Sequence, residues 1–176
     1  GAVKVLARRR FAEAISVKRF IKEAQTISDL NHPNIVRVYG TGRTPELRFM
    51  AMEFLPESLK QRIRSRGRIP PDEALAIASQ IASALYHAHS RGFVHRDVKH
   101  SNILMHEDFR PMLSDFGILK ILEGKQEKVE SAIGAGIGTP EYMPPEQGMG
   151  REVDFRADIY SLGLVFYEML TGQKPF

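Results

Sequence analysis

The sequence predicts an α+β protein, and three features support that class. Short apolar runs bounded by turn residues occur within the first 55 positions and indicate strands. Residues 70–90 and 154–170 repeat apolar side chains every three or four positions, which is the spacing of one face of a helix. Two further short apolar runs between those helices surround a polar turn and indicate a β-hairpin.

The first part of the chain, residues 1–55, is predicted to contain three strands and one helix. The strands are residues 2–6, 35–39 and 47–54, and the last two are separated by a turn that contains Gly and Pro. The helix spans residues 11–30, where apolar residues recur three or four positions apart.

The second part, residues 56–176, is predicted to be mainly helical. Its first long helix begins at Pro70-Pro71, followed by two acids that favour the positive end of the helix dipole. The predicted buried faces comprise Leu75, Ala78, Ile81, Leu85 and Ala88 in this helix and Ile159, Leu162, Val165, Phe166 and Met169 in the last one. Both helices are expected in the interior of this part.

The composition is that of an ordinary globular protein, with 43% hydrophobic and 26% charged residues. The absence of Cys excludes a disulfide scaffold, a thiolate zinc site and a cysteine nucleophile. A net charge of +4 is too small to argue for a nucleic-acid partner, and none is expected. No apolar run approaches the ~18 residues of a membrane span. We therefore expect a cytoplasmic location, with a membrane anchor outside this stretch left open.

A polar stretch, residues 95–102, interrupts apolar surroundings and precedes the predicted hairpin. If the hairpin is symmetrical about the bond between residues 108 and 109, Asn102 faces Asp115 at its open end. Amide and carboxylate oxygens are hard ligands that suit Mg²⁺. A capping Asn and a turn Asp are the alternative for either residue alone, and a one-residue slip in register would separate the two.

Five motifs in order resemble those of protein kinases. His95-Arg96-Asp97 with Asn102 is similar to the catalytic loop, and Asp115-Phe116-Gly117 to the metal-binding motif. Ala2-Val3-Lys4 with Glu23 resembles the strand lysine and its helix partner. Pro144-Pro145-Glu146 resembles the end of the activation segment, and Asp158 resembles a buried aspartate of the following helix. The resemblance covers essentially the whole chain and implies a kinase-like two-lobe fold.

The resemblance implies a role for each catalytic candidate. Asp97 would accept or orient the proton of the substrate hydroxyl, and Lys99 would steady the transferring phosphate. Lys4 would hold the α- and β-phosphates of ATP, and Glu23 would pair with Lys4. A pairing of this kind also explains why a carboxylate stands on the apolar face of a predicted helix, where it is costly unless paired.

The implied cofactors are ATP and Mg²⁺, with Asn102 and Asp115 as the metal ligands. Met52, Glu53 and Leu55 would line the adenine pocket, and Ala2 and Leu104 would enclose the ring. Lys99 together with Thr139 resembles serine/threonine kinases and not tyrosine kinases, and the surrounding segments look most like bacterial members. The implied partner is therefore a protein substrate with Ser or Thr.

The chain also departs from the family pattern. His100 stands where the family usually has Pro, and Pro144 where it usually has Ala. The Gly-rich loop and the C-terminal helices are absent, so we expect an internal fragment, and the 176 residues made alone are expected to be unstable and inactive. A pseudokinase-like binding module and a kinase for small molecules are the alternative functions. A pseudokinase usually lacks the strand lysine, the base aspartate or the metal-binding aspartate, and this chain has all three. Thr139 argues against a kinase for small molecules.

Several remaining polar residues have structural interpretations. His95 is expected to pack beneath Phe116, and His87 with His89 is not expected to bind a metal, because residues two apart on a helix point to different sides. The basic run Arg62, Arg64, Arg66 and Arg68 is predicted to be a solvated face in preference to a partner-binding patch. Arg96 needs an anion, and phosphorylated Ser131 is a candidate, with an unmodified loop serine as the alternative.

Overall fold

The computed structural model describes residues 1–6, 28, 30–44, 47–116 and 141–175 of the chain. Its strands are β1 Ala2–Leu6, β2 Val38–Arg43, β3 Arg48–Met52, β4 Glu57–Ser58, β5 Ile103–Met105 and β6 Pro111–Leu113. Its helices are α1 Leu59–Arg66, α2 Pro71–His89, α3 Pro145–Gly148 and α4 Arg156–Thr171, with a short 3₁₀ helix at His100–Asn102. The two small sheets and the helices make an α+β fold, as predicted. Most of the predicted helix over residues 11–30 lies outside the described residues.

The first sheet is antiparallel, with the strand order β1-β3-β2. The opening strand forms as predicted and lies at one edge of this sheet, with Ala2 opposite Met52. The prediction of a strand over residues 35–39 is wrong, because β2 begins only at Val38 and continues through the glycines assigned to the turn. Val36 instead donates its amide to the carbonyl of Leu113 at 3.0 Å. The apolar residues before β2 are therefore used for packing against β6.

The second sheet contains the predicted hairpin, in the strand order β4-β5-β6. Its register differs from the prediction by one residue, because Ile103 lies opposite Leu113 and the pairing is centred on Asp108. The loop has an odd number of residues and turns through Phe109, whose φ of 65° is in the left-handed region. Asn102 therefore pairs with Ser114 and not with Asp115, and Ser114 donates its amide to the Asn102 carbonyl at 2.8 Å.

The two long helices form as predicted and pack together in the main core. Ile81, Leu85, Val165 and Met169 are fully buried there. The predicted faces are wrong at their first positions, because Leu75 is 62% exposed and Ile159 is 52% exposed. Ala74 and Ile77 take the interior positions of α2 instead. No helix in the described part of the chain is long and apolar enough to cross a membrane.

Helix α1 starts with a capping box, in which the Ser58 side chain accepts the Gln61 amide and the Gln61 side chain accepts the Ser58 amide. The prediction of a solvated basic run is wrong at Arg62, which is only 6% exposed. Its guanidinium lies 2.9 Å from Glu57 and 3.4 Å from Glu73, and it covers the ring of Phe109. A buried guanidinium needs such carboxylates, because desolvation of an unpaired charge is costly.

Arg66 at the end of α1 also contacts Glu73, at 2.9 Å, although its side chain is 45% exposed. Arg64 and Arg68 are exposed, as predicted for a solvated face. The basic run is thus divided between two arginines that join α1 to α2 and two that face solvent.

Candidate active site

The loop that precedes the 3₁₀ helix is held by one buried carboxylate on α4. Asp158 accepts the backbone amides of His95 at 2.8 Å and Arg96 at 2.7 Å. The ring of His89 lies 2.7 Å from the same carboxylate. Arg96 has a φ of 63°, an uncommon conformation for a residue with a side chain. Asp158 therefore fixes the backbone immediately before Asp97.

His95 is a structural residue beneath this loop. Its ring is completely buried and lies 4.6 Å, between centroids, from the ring of Phe116, which confirms the predicted packing. The amide of Asp97 donates to Nδ1 at 3.2 Å, so Nε2 carries the proton and donates to the carbonyl of Ser114 at 2.9 Å. Burial lowers the pKa of His95, which favours this neutral tautomer.

Asp97 stands at the centre of a group of polar contacts. Lys99 Nζ lies 2.8 Å from Asp97 Oδ2. The amide nitrogen of Asn102 donates both to Asp97 Oδ2 and to the Asp97 carbonyl, each at 2.9 Å. Because Nδ2 of Asn102 is committed in this way, Oδ1 is the atom that faces away from Asp97. The loop thus presents a carboxylate, an ammonium and an amide oxygen together.

Asp115 follows β6 and meets the first sheet. Lys4 Nζ on β1 lies 2.6 Å from Asp115 Oδ1, so this contact joins residues from the two sheets. Asp115 has a φ of 56°, and backbone strain of this kind is concentrated at functional sites. The Ser114 hydroxyl lies 3.0 Å from the Asn102 carbonyl and 3.4 Å from Asp115 Oδ2. Ser114 therefore connects the two predicted metal ligands despite the shifted register.

The donor set fits Mg²⁺ bound together with a nucleotide. Asn102 and Asp115 offer oxygen atoms, the ligand type that Mg²⁺ prefers, and Mg²⁺ is commonly held by one or two carboxylates plus substrate phosphates. Within the described ranges, no group of three or more His, Asp and Glu is arranged to hold a metal ion by itself. Oxygen-bearing side chains such as these suit a metal that is also coordinated by phosphate oxygens.

An apolar cluster lies next to this polar group. Val36, Leu55 and Met112 are buried together, and Met52 and Leu104 pack against them. The structure thus brings together three of the residues predicted for the adenine pocket.

The other two predicted pocket residues lie next to Met52. Ala2 is its partner across β1 and β3, and Glu53 follows it in the chain. The Glu53 amide donates to the Arg37 carbonyl at 2.9 Å. Among the described residues, no backbone–backbone hydrogen bond of a turn or loop involves Leu55.

Two predicted site residues, Glu23 and Thr139, lie outside the described residues, as does Ser131. The sequence interpretation also missed two contributors. Ser114 was not singled out, although a polar residue that ends an apolar strand directly before Asp115 was a usable signal. Glu168 is a carboxylate on the apolar side of α4, which by itself indicates a buried partner.

Comparison with known proteins agrees with these features. The sequence model of the protein kinase domain matches residues 1–176. The serine/threonine-protein kinase pkn2 of Myxococcus xanthus is 36% identical over 178 residues, covering 99% of this chain and 21% of that protein. PknB of Mycobacterium leprae is 39% identical over 180 residues, covering 99% and 29%. PrkC of Bacillus subtilis is 39% identical over 161 residues, covering 91% and 24%.

The chain therefore spans less than a third of the length of each of these relatives. The match to the family model nevertheless extends over residues 1–176, the range in which every motif described above lies. The chain belongs to the protein kinase domain family.

Proposed function

We propose that this chain is the catalytic part of a serine/threonine protein kinase, which transfers the γ-phosphate of ATP to Ser or Thr hydroxyls of a protein. The observation that supports this best is the convergence of Asp97, Lys99 and Asn102 within hydrogen-bond distance. Phosphoryl transfer needs positioning and charge stabilisation more than covalent participation by the protein. This group supplies both. The three relatives are named as serine/threonine-protein kinases, which supports the same function.

In the proposed reaction, Asp97 orients the substrate hydroxyl and takes its proton as the oxygen attacks the γ-phosphorus. The bond from that phosphorus to the β,γ-bridging oxygen breaks, and ADP leaves with its electron pair. Lys99, which contacts Asp97 at 2.8 Å, lies where it can neutralise charge on the transferring phosphoryl group. Lys4 holds the α- and β-phosphates and is paired with Glu23.

Nucleotide binding would use the remaining site residues. The adenine ring would lie against Ala2, Met52 and Leu104, with its polar edge bonded to the backbone of Glu53 and Leu55. Asn102 and Asp115 would hold Mg²⁺, which neutralises phosphate charge when bound.

We propose that residues 1–55 are part of an N-terminal lobe that carries Lys4. Residues 56–176 are part of a C-terminal lobe that carries Asp97. Thr139 would take part on the substrate side of the second lobe. We place the reaction in the cytoplasm, where ATP is available, and no nucleic-acid partner is required.

The test is phosphate transfer from radiolabelled ATP with Mg²⁺ by the full-length protein, followed by phosphoamino-acid analysis. We expect phosphoserine or phosphothreonine in the acceptor protein and no phosphotyrosine. Nucleotide binding without transfer would instead indicate a pseudokinase-like binding module. Transfer to small molecules with none to protein would contradict the proposed substrate class.

A further inference from the structure

His100 is a buried polar residue close to the proposed reaction centre. It begins the 3₁₀ helix that ends with Asn102, and it is only 8% exposed. The family resemblance leads one to expect Pro here, a residue with no side-chain polar atoms. A buried imidazole at this position must gain compensating contacts, because burying a polar group without them is unfavourable.

The compensating contact comes from α4. His100 Nε2 lies 3.6 Å from Glu168 Oε1, a close electrostatic contact between two buried side chains. The Tyr142 hydroxyl donates to the other oxygen, Oε2, of the same carboxylate. The rings of His100 and Tyr142 are also in contact, with centroids 5.1 Å apart. Glu168 is therefore shared by the loop that carries Asn102 and the segment that carries Tyr142.

The segment at residues 141–142 is otherwise held by α4 and by the residues that follow it. Ser161 Oγ donates to the Tyr142 carbonyl at 2.7 Å. Lys174 Nζ lies 2.6 Å from Glu141 Oε1. These two contacts join the segment to α4 and to the residues after it, and neither involves the loop of Asp97. The contact between the rings of His100 and Tyr142 ties the segment to the loop of Asp97.

The two ring nitrogens of His100 have different surroundings. Nε2 faces Glu168, whereas Nδ1 is buried and has no hydrogen-bond partner among the residues that the structure describes. The tautomer with its proton on Nε2 points its N–H towards the carboxylate, so the Nε2 edge makes the polar part of the link. A substitute that retains a donor at the Nε2 position should therefore retain the link, and one that retains only Nδ1 should lose it.

We infer that His100 is a positioning residue: through Glu168 and Tyr142 it fixes the loop of Asp97, Lys99 and Asn102 against residues 141–142. This inference rests on the proposed kinase function, in which residues 141–142 belong to the segment on the protein-substrate side. Loss of the link should misalign the bound acceptor hydroxyl relative to Asp97. It should leave the adenine pocket, formed by the sheet and Leu104, unchanged.

The experiment compares three substitutions in the full-length protein. His100→Gln places an amide nitrogen near the position of Nε2, His100→Asn places one near Nδ1, and His100→Leu provides neither. Steady-state kinetics would use dephosphorylated casein as the acceptor protein, and hydrogen exchange would report on residues 97–102 and 141–142. His87→Leu, which removes a half-buried imidazole elsewhere on α2, is the matched control.

For the Asn and Leu variants we expect the KM for casein to rise about fivefold to tenfold, the range set by one lost polar contact. Their KM for ATP should rise less than their KM for casein, because the adenine pocket is not part of this loop. A general loss of folded protein would not produce this split. Exchange should accelerate in both segments. The Gln variant and the His87→Leu control should match the wild-type protein in every measurement.

Unchanged exchange in the Leu variant would overturn the inference, whether or not the protein transfers phosphate. Equal behaviour of the Gln and Asn variants would also overturn it, because the link requires the Nε2 edge. A wild-type protein that transfers no phosphate would refute the proposed function separately. Faster exchange in the Asn and Leu variants alone would still support the link between the two segments.

Discussion

The buried carboxylate of Asp158 accepts the amide of Arg96 at 2.7 Å, and Arg96 has a left-handed φ of 63°. A non-glycine residue in this region costs about 1–3 kcal/mol, so it persists only where the surroundings enforce it. Asp158 also accepts the amide of His95, which makes the two bonds a backbone clamp from α4. The clamp sets the direction in which the chain enters Asp97.

Removal of the clamp should therefore damage both stability and transfer. Asp158→Ala leaves buried amides without an acceptor, and we expect a loss of about 3–5 kcal/mol in the free energy of unfolding. Urea denaturation of the full-length protein measures it. Asp154→Ala is the control, because Asp154 is a half-exposed carboxylate that pairs with the exposed Arg156. Equal destabilisation by the two variants would contradict the clamp.

Asp97→Asn should abolish most transfer without unfolding the protein. A group that orients or accepts the substrate proton contributes about 10²–10⁴-fold to the rate. Asparagine keeps the size of the side chain but cannot take the proton. The measurement is initial-rate phosphate transfer, with thermal unfolding and ATP binding as controls. Wild-type turnover in this variant would remove Asp97 from its proposed role.

Lys4→Met should reduce transfer to background, because Lys4 supplies the charge proposed for the ATP phosphates and lies 2.6 Å from Asp115. Truncation of Glu23 should weaken transfer, since the lysine would lose its proposed partner. Both effects are measured as initial rates over a range of ATP concentrations. Arg64→Met, which removes an exposed cation from α1, is the matched control. Full activity of Lys4→Met would reject the assignment.

The long helices were predictable because their signal is local. Apolar spacing and the two prolines at the start of α2 define the helix without knowledge of its neighbours. Which side becomes buried depends on the packing partners, and the predicted faces failed for that reason at Leu75 and Ile159. The prediction that Arg62 is solvated was wrong for a similar reason. Its burial depends on Glu57 and Glu73, which reach it only in the folded chain.

The site was predictable in composition and not in register. The polar spacing from Asp97 to Asn102 and the family resemblance predicted residues that the structure brings together. The hairpin register was wrong because a Phe at position 109 gives no indication of a positive φ. The contact between Lys4 and Asp115 spans 111 positions and has no local signal. The roles assigned to Glu23 and Thr139 stay predictions.

Phosphorylation of Ser131 should accompany activity. Arg96 Nη2 donates to the Val153 carbonyl at 3.2 Å, and its Nε is buried without a hydrogen-bond partner in the described part of the chain. A phosphate group would provide both charge and acceptor oxygens for such a guanidinium. Mass spectrometry of active full-length protein should detect the modification, and Ser131→Ala should lower activity. Active protein with Ser131 wholly unmodified would eliminate this residue as the switch.

Acidification should weaken the contact between His32 and α2. The ring of His32 lies 5.1 Å from that of His87, and its Nδ1 accepts the Asn34 amide at 3.1 Å. Burial is the main cause that lowers the pKa of His32, and the neighbouring His87 lowers it further. Burial, followed by Arg91, lowers the pKa of His87. Protonation of His32 would replace the acceptor at Nδ1 with a donor.

Because both pKa values are lower in the folded state, the unfolded chain binds more protons as the pH falls below about 6.5. The stabilisation is therefore complete above that pH and decreases below it. We expect the free energy of unfolding, from urea titrations of the full-length protein, to fall between about pH 7.5 and about pH 5.5. His87→Phe keeps an aromatic ring beside His32 but cannot titrate. The free energy of unfolding of this variant should therefore decrease less over the same pH range. The variant should match the wild-type protein at the higher pH, and an equal decrease in both proteins would contradict the assignment to this pair.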